Sequence, residues 1–283
     1  MPVVVVTDST ATLPADLAAE KGIVVVPLQV IIGAEVFDEG SQGATPALVA
    51  EALREFLPVS TSRPTPAALL EVYERLAAEG ATEIVSVHLS AEMSGTYESA
   101  QLAAREASIP VLTVDTRQVG VATGYAAISA AEVAAEGGSA DEAASAARAR
   151  AEAAYSLFYV DTLEYLRRGG RIGAAAALLG GALAVKPLLQ IEDGKVASLE
   201  RVRTSGRALA RLEELAVQDA GDRPVDVCVA HLSSPERAET LSAHLASRLE
   251  ENLEGREVRC AELGAVLGAH VGPGMLAVCV APL

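Results

Sequence analysis

The sequence predicts an α/β protein of two domains. The first, residues 1–160, reads as a mostly parallel three-layer α/β/α domain, and the second, 161–283, as an α+β domain with a mixed sheet. Three observations predict this. Strand and helix patterns alternate through the first half, as crossover units on a parallel sheet require. An Asp193-Gly194 dipeptide separates two apolar runs in the second half, the signal of an antiparallel hairpin. A chain of 283 residues that is 51% hydrophobic is long enough and apolar enough for two cores.

Residues 3–6 form a continuous apolar strand, and Asp8-Ser9-Thr10 leads into a helix with Pro14 in its first turn. Gly22 ends that helix, and residues 23–32 continue as extended chain. Thr65-Pro66 opens a helix whose Leu69, Tyr73, Leu76 and Ala77 share one face, with Gly80 at its end. A strand over 84–89, a helix over 96–106, a strand over 111–114 and an Ala-rich helix ending at Glu136 follow. Gly137-Gly138 breaks that helix, and Ser139-Ala140-Asp141-Glu142 is a capping box for the next. A strand over 157–160 closes the first domain. In the second, residues 188–192 and 196–202 flank the Asp-Gly turn, and helices over 207–217 and 235–251 alternate with strands over 225–231, 258–261 and 276–280.

Aromatics are 3% of the chain and Trp is absent, so the cores are aliphatic. A mean hydropathy of +0.30 excludes disorder. The net charge of −16 repels phosphate backbones and fits no polybasic membrane anchor, so neither nucleic acid nor stable membrane insertion is expected. The N-terminus has no basic region ahead of its short apolar run, and the stretch 172–185 is too short to span a bilayer. Cys228, Cys260 and Cys279 are odd in number, without paired spacing, and read as buried thiols of a reducing compartment. A cytoplasmic protein is expected.

Candidate chemistry lies in three polar segments. Thr61-Ser62-Arg63-Pro64-Thr65 and Met93-Ser94-Gly95-Thr96-Tyr97 each follow an apolar run and open a helix, placing hydroxyls and free N–H groups where an anion is favoured. Taken alone, Ser94 reads as a helix cap ahead of a ligand contact and Thr61 as a loop threonine; together with the His270 loop they point to binding. His270 sits in a glycine-rich loop before the last strand, open to both a binding and a turn-forming reading. His88 and His231 read as structural, and His244 as a solvated helix residue. No histidine pair has metal-ligand spacing. Asp8, Asp115 and Asp161 end strands, as magnesium ligands of a phosphotransferase or as turn formers. Arg171 belongs to Arg167-Arg168-Gly169-Gly170-Arg171, a basic helix end with no phosphate-loop spacing.

In series, Val6-Thr7-Asp8-Ser9-Thr10, Thr61-Ser62-Arg63-Pro64-Thr65, Ser94-Gly95-Thr96-Tyr97, Leu166-Arg167-Arg168-Gly169-Gly170-Arg171-Ile172, Lys186-Pro187 and His270-Val271-Gly272-Pro273-Gly274 resemble the DegV family of bacterial lipid-binding proteins. The resemblance runs the length of the chain. It implies a two-domain α/β fold with a long-chain fatty acid held between the domains, the carboxylate on Thr61 and Ser94, with Gly95, Thr96 and His270 in the same site. It further implies the acyl-carrying subunit of a fatty acid kinase rather than an enzyme, needing no cofactor or metal. A separate kinase protein then forms the acyl phosphate for phospholipid synthesis, with Arg171 facing partner or phosphate. Arg63 and Arg168 depart from the residues common in the family. The alternatives are the magnesium-dependent phosphotransferase and a lipid-responsive interaction protein without a kinase partner. Small residues over 174–177 and 180–184 are candidates for lining a narrow acyl tube.

Overall fold

The structure is a computed structural model that describes residues 2–178 and 186–283. In chain order the strands and helices begin with β1 Val3–Asp8, α1 Ala15–Glu20, β2 Ile23–Val26, β3 Gln29–Ile32 and β4 Glu35–Asp38. Then come α2 Pro46–Arg54, β5 Val59–Ser62, α3 Pro66–Ala78, β6 Glu83–His88, α4 Thr96–Glu106 and β7 Val111–Asp115. The middle of the chain forms α5 Val121–Ala135, α6 Ala140–Ala153, β8 Tyr155–Tyr159, α7 Glu164–Arg168, β9 Lys186–Glu192 and β10 Lys195–Val202. The last elements are α8 Ser205–Ala220, β11 Val225–His231, α9 Pro235–Arg248, α10 Glu250–Leu253, β12 Arg259–Glu262, α11 Ala265–Val271 and β13 Leu276–Pro282.

Two compact units result: Met1–Gln29 with Thr61–Glu152, and Val30–Ser60 with Ala153–Leu283. A single division after residue 160 therefore differs from the contact pattern, because residues 30–60 join the second half. Within that unit α2 packs on α11, and Glu39 Oε1 accepts from Val266 N at 2.7 Å. Nothing in the local sequence of 30–60 announces such long-range pairing.

Unit 1 has a parallel four-stranded sheet in the order β2-β1-β6-β7. Successive residues of a strand point to opposite faces, so a strand apolar at every position must be covered on both. Val5, Val85, Val87 and Val114 accordingly pack among the alanines of α5 and α6. Val6 and Ile84 face Leu69, Tyr73 and Leu76 of α3 and Ala100 and Ala103 of α4. This is the three-layer arrangement that the sequence predicts. The α3 start follows local rules: the Thr65 side chain accepts from Ala68 N and Pro66 occupies the first turn.

Unit 2 carries a six-stranded mixed sheet in the order β10-β9-β8-β13-β11-β12, antiparallel throughout except for β11 against β12. The β9–β10 hairpin turns at Asp193 and Gly194 with φ of 50° and 77°, the paired positive values of a type I′ turn. Helix α8 sets Ala208 and Leu212 against Leu157, Tyr159 and Leu188, and α9 sets Ala238, Leu241 and Leu245 against Val225, Val227 and Val229. A small sheet, β4-β3-β5, comes from the inserted segment. The helix expected over 235–251 is interrupted at Leu249 into α9 and α10. Residues 180–184, candidates for tube lining, lie outside the described residues; of 174–177, only Ala175 is buried. No helix among the described residues is long and apolar enough to cross a membrane.

Candidate functional site

Strand β5 brings Thr61, partly buried, to its end, and the chain then runs against the start of α4. Arg63 makes that junction: its Nη1 donates to Gly95 O at 3.1 Å and to Glu98 Oε2 at 3.0 Å. The guanidinium lies so close over Gly95 that a Cβ there would displace it. Ser94 precedes the helix by one residue more than a cap does, since Gly95 is the N-cap and makes no side-chain cap bond. Its Oγ nevertheless accepts from Thr96 N at 3.3 Å and lies 2.8 Å from Thr96 Oγ1. Thr96 is fully buried and braces the Ser94 hydroxyl from below, while Ser94 is only partly buried. Arg63, two residues beyond Thr61, is thus the side chain that ties the Thr61 segment to the start of α4 within unit 1.

His270 belongs to unit 2, and its setting corrects the loop expectation. It lies in the last turn of α11, which ends at Gly272 with φ of 74° and Gly272 N donating to Gly268 O. The glycines read as loop formers instead bound and space a two-turn helix packed on α2, with Glu39 bonded at its start. Gly169, at the end of α7, lets the His270 ring approach closely, because a Cβ there would collide with the ring. Burial lowers the His270 pKa to about 4, assisted by the positive charge of Arg171, so the ring is neutral near pH 7.

Arg171 closes the end of α7. Its N–H donates to Leu166 O, and Gly170 N to Arg167 O, the two bonds of a Schellman motif. Its Nη1 donates to Gly169 O at 2.6 Å. Arg167 and Arg168 both pair with Glu164, at 2.7 and 2.8 Å, and hold its carboxyl down at about 2.

Each strand-end aspartate is bonded to other groups of the protein. Asp115 accepts from Ala91 N and Arg117 N, and Asp161 accepts from the Tyr159 hydroxyl and faces Lys186 Nζ at 3.5 Å. Asp8 is fully buried and bonded to His88, a pairing of adjacent parallel strands that sequence reasoning missed. The available signal was a histidine and an aspartate each ending an apolar run. Among the described residues no group of His, Cys, Asp and Glu is arranged to hold a metal ion.

The family model described as an uncharacterised protein of the DegV family matches residues 2–283. A DegV domain-containing protein from Streptomyces coelicolor is 53% identical over 279 residues, 98% of each chain. A solved DegV family protein from Thermus thermophilus, described for fatty acid binding, superposes with a TM-score of 0.90 at 33% identity and covers 100% of both chains. DegV from Bacillus subtilis, described as a fatty acid binding protein, gives 0.91 at 30% identity, again over 100% of both chains.

Proposed function

Because this chain belongs to the DegV family, we propose that it binds a long-chain fatty acid, its carboxylate held by the Thr61 and Ser94 hydroxyls with Gly95 and Thr96 in the same head-group site, and with His270 as a further candidate ligand residue. The observation that supports the reading is the Ser94 hydroxyl braced by Thr96 at the start of α4, where Arg63 ties down the segment that carries Thr61. Neutral donors there replace the hydrogen bonds that a carboxylate gives up to water.

The apolar tail supplies the affinity. An acyl chain of roughly fifteen methylenes, at about 0.8 kcal/mol each, gains on the order of 12 kcal/mol gross on burial. Ordering and association take back several kcal/mol, which still leaves tight binding. In this reading the protein is a cytoplasmic carrier rather than an enzyme. It presents the carboxyl group to a separate ATP-dependent kinase, and Arg171 meets the phosphate or the partner through its planar guanidinium.

Native mass spectrometry before and after organic extraction tests the reading. The purified chain should lose the mass of a long-chain fatty acid in near one-to-one amount, and the extracted protein should take palmitate back up. Folded protein that neither carries nor takes up an acyl chain overturns it.

A further inference from the structure

Unit 1 contains a buried polar cluster around Asp8 that the proposed head-group site does not use. The Asp8 carboxylate, fully buried, accepts from four donors: Thr10 N at 3.1 Å, Thr10 Oγ1 at 2.5 Å, His88 Nδ1 at 2.9 Å and Leu89 N at 3.1 Å. A carboxylate on Nδ1 requires the proton there, so His88 is held as the Nδ1–H tautomer. On its other side Nε2 lies 2.8 Å from Ser86 Oγ, which lies 2.8 Å from Tyr73 Oη. Burial pushes the Tyr73 hydroxyl up to about 12, so it keeps its proton and can donate into the chain. Asp8, His88 and Ser86 follow the atom order of an acid–imidazole–hydroxyl triad. All three are inaccessible, and Tyr73 occupies the hydroxyl, so no substrate reaches it.

What the cluster does control is the backbone leaving β6. Asp8 binds Leu89 N; Thr116 N and Oγ1 donate to His88 O at 3.1 and 2.8 Å; Ser90 N donates to Gln118 O at 2.8 Å. Ser90 O then accepts from Met93 N at 3.0 Å and from Ser94 N at 3.1 Å, closing the turn that ends on Ser94. Two hydrogen bonds and the Leu89–Ser90 backbone link therefore join Asp8 to the Ser94 amide. We propose that Asp8 and His88 are positioning residues for the Ser94 hydroxyl, fixing the Leu89-Ser90 backbone from which the Ser94 turn springs. The functional half of this proposal rests on the fatty-acid-binding reading; the geometric half does not. Geometry of this kind, a contact residue locked by buried supporting bonds, is what a preformed site needs.

Asp8→Asn is the informative variant. It keeps the acceptor for Thr10 but turns an NH₂ group toward Leu89 N, breaking that anchor. Amide hydrogen exchange on ligand-free protein reads the geometry, and palmitate affinity reads the consequence. Exchange at Ser94 should accelerate in Asp8→Asn. Palmitate binding should weaken by about tenfold in the native background and by less than about twofold when Ser94 is already Ala, because the variant acts through that hydroxyl. Unchanged exchange at Ser94, or the same fold loss in both backgrounds, overturns the proposal. If Asp8→Asn does not fold, His88→Asn, which keeps a donor toward Asp8, should bind near-natively while His88→Leu does not; equal behaviour of the two overturns it. Nitrogen NMR of the unmodified protein supplies a further check, since an Nε2–H tautomer at His88 also overturns it. Accelerated exchange in a chain whose unmodified form takes up no palmitate refutes the fatty-acid reading and leaves the positioning geometry standing.

Discussion

His270 shows how far a single side chain depends on its surroundings. The imidazole is set against Gly169, and burial, then the Arg171 charge, lowers its pKa to about 4 from an ordinary 6.5. The unfolded chain therefore binds a proton at this residue below about pH 6.5 that the folded chain refuses until about pH 4. The His270 contribution to stability should fall as pH drops through that window and change no further beneath it. Thermal melts at stepped pH check this: His270→Asn should flatten the part of the profile between those two values, and an unchanged profile would show that the ring is not held neutral by the fold. His231, also lowered by burial, contributes in the same direction and remains as background.

At the scale of elements, local signals mark most boundaries correctly. The Ser139–Glu142 box forms as written, with Glu142 Oε2 accepting from Ser139 N at 2.8 Å, and the Asp193-Gly194 turn takes the conformation its residues prefer. Thr65 separates capping from binding within one polar cluster. Its side chain accepts from Ala68 N, so Thr65→Ala should cost about 1 kcal/mol of stability, the usual loss of an N-cap. Fatty acid affinity should stay within about twofold of the native value, because the change removes a cap and no head-group donor. Denaturant melts paired with palmitate titration check it, and a large affinity loss would place Thr65 among the ligand contacts. Elements 30–60 and α11 escaped sequence reading because their stabilisation is non-local. Glu39 meets Val266 across most of the chain, and two turns of helix are marginal without such packing.

For the molecule as a whole, the aliphatic composition becomes two kinds of layer: a parallel sheet covered on both faces in unit 1 and a mixed sheet under α8 and α9 in unit 2. The thiols report on the second. Cys228 and Cys279 face each other across β11 and β13 and are buried, and burial pushes the Cys228 thiol up to about 12. Cys260, on β12, is exposed. An aromatic disulfide reagent should therefore modify one thiol quickly in native protein and the remaining two only after denaturation. Fast reaction of all three would show that the β11–β13 region opens readily.

The sequence by itself determined the α/β class, most element boundaries, the hydroxyl-bearing segments at Thr61 and Ser94, and the family resemblance. These depend on periodicity, caps and turn chemistry, which act within a few residues. Only the tertiary structure decided that residues 30–60 join the second unit, that His270 rides on a helix against Gly169, and that Asp8 and His88 bond within the parallel sheet beneath the Ser94 turn. Each of those joins groups far apart in sequence, and such contacts become favourable only once the chain between them is ordered.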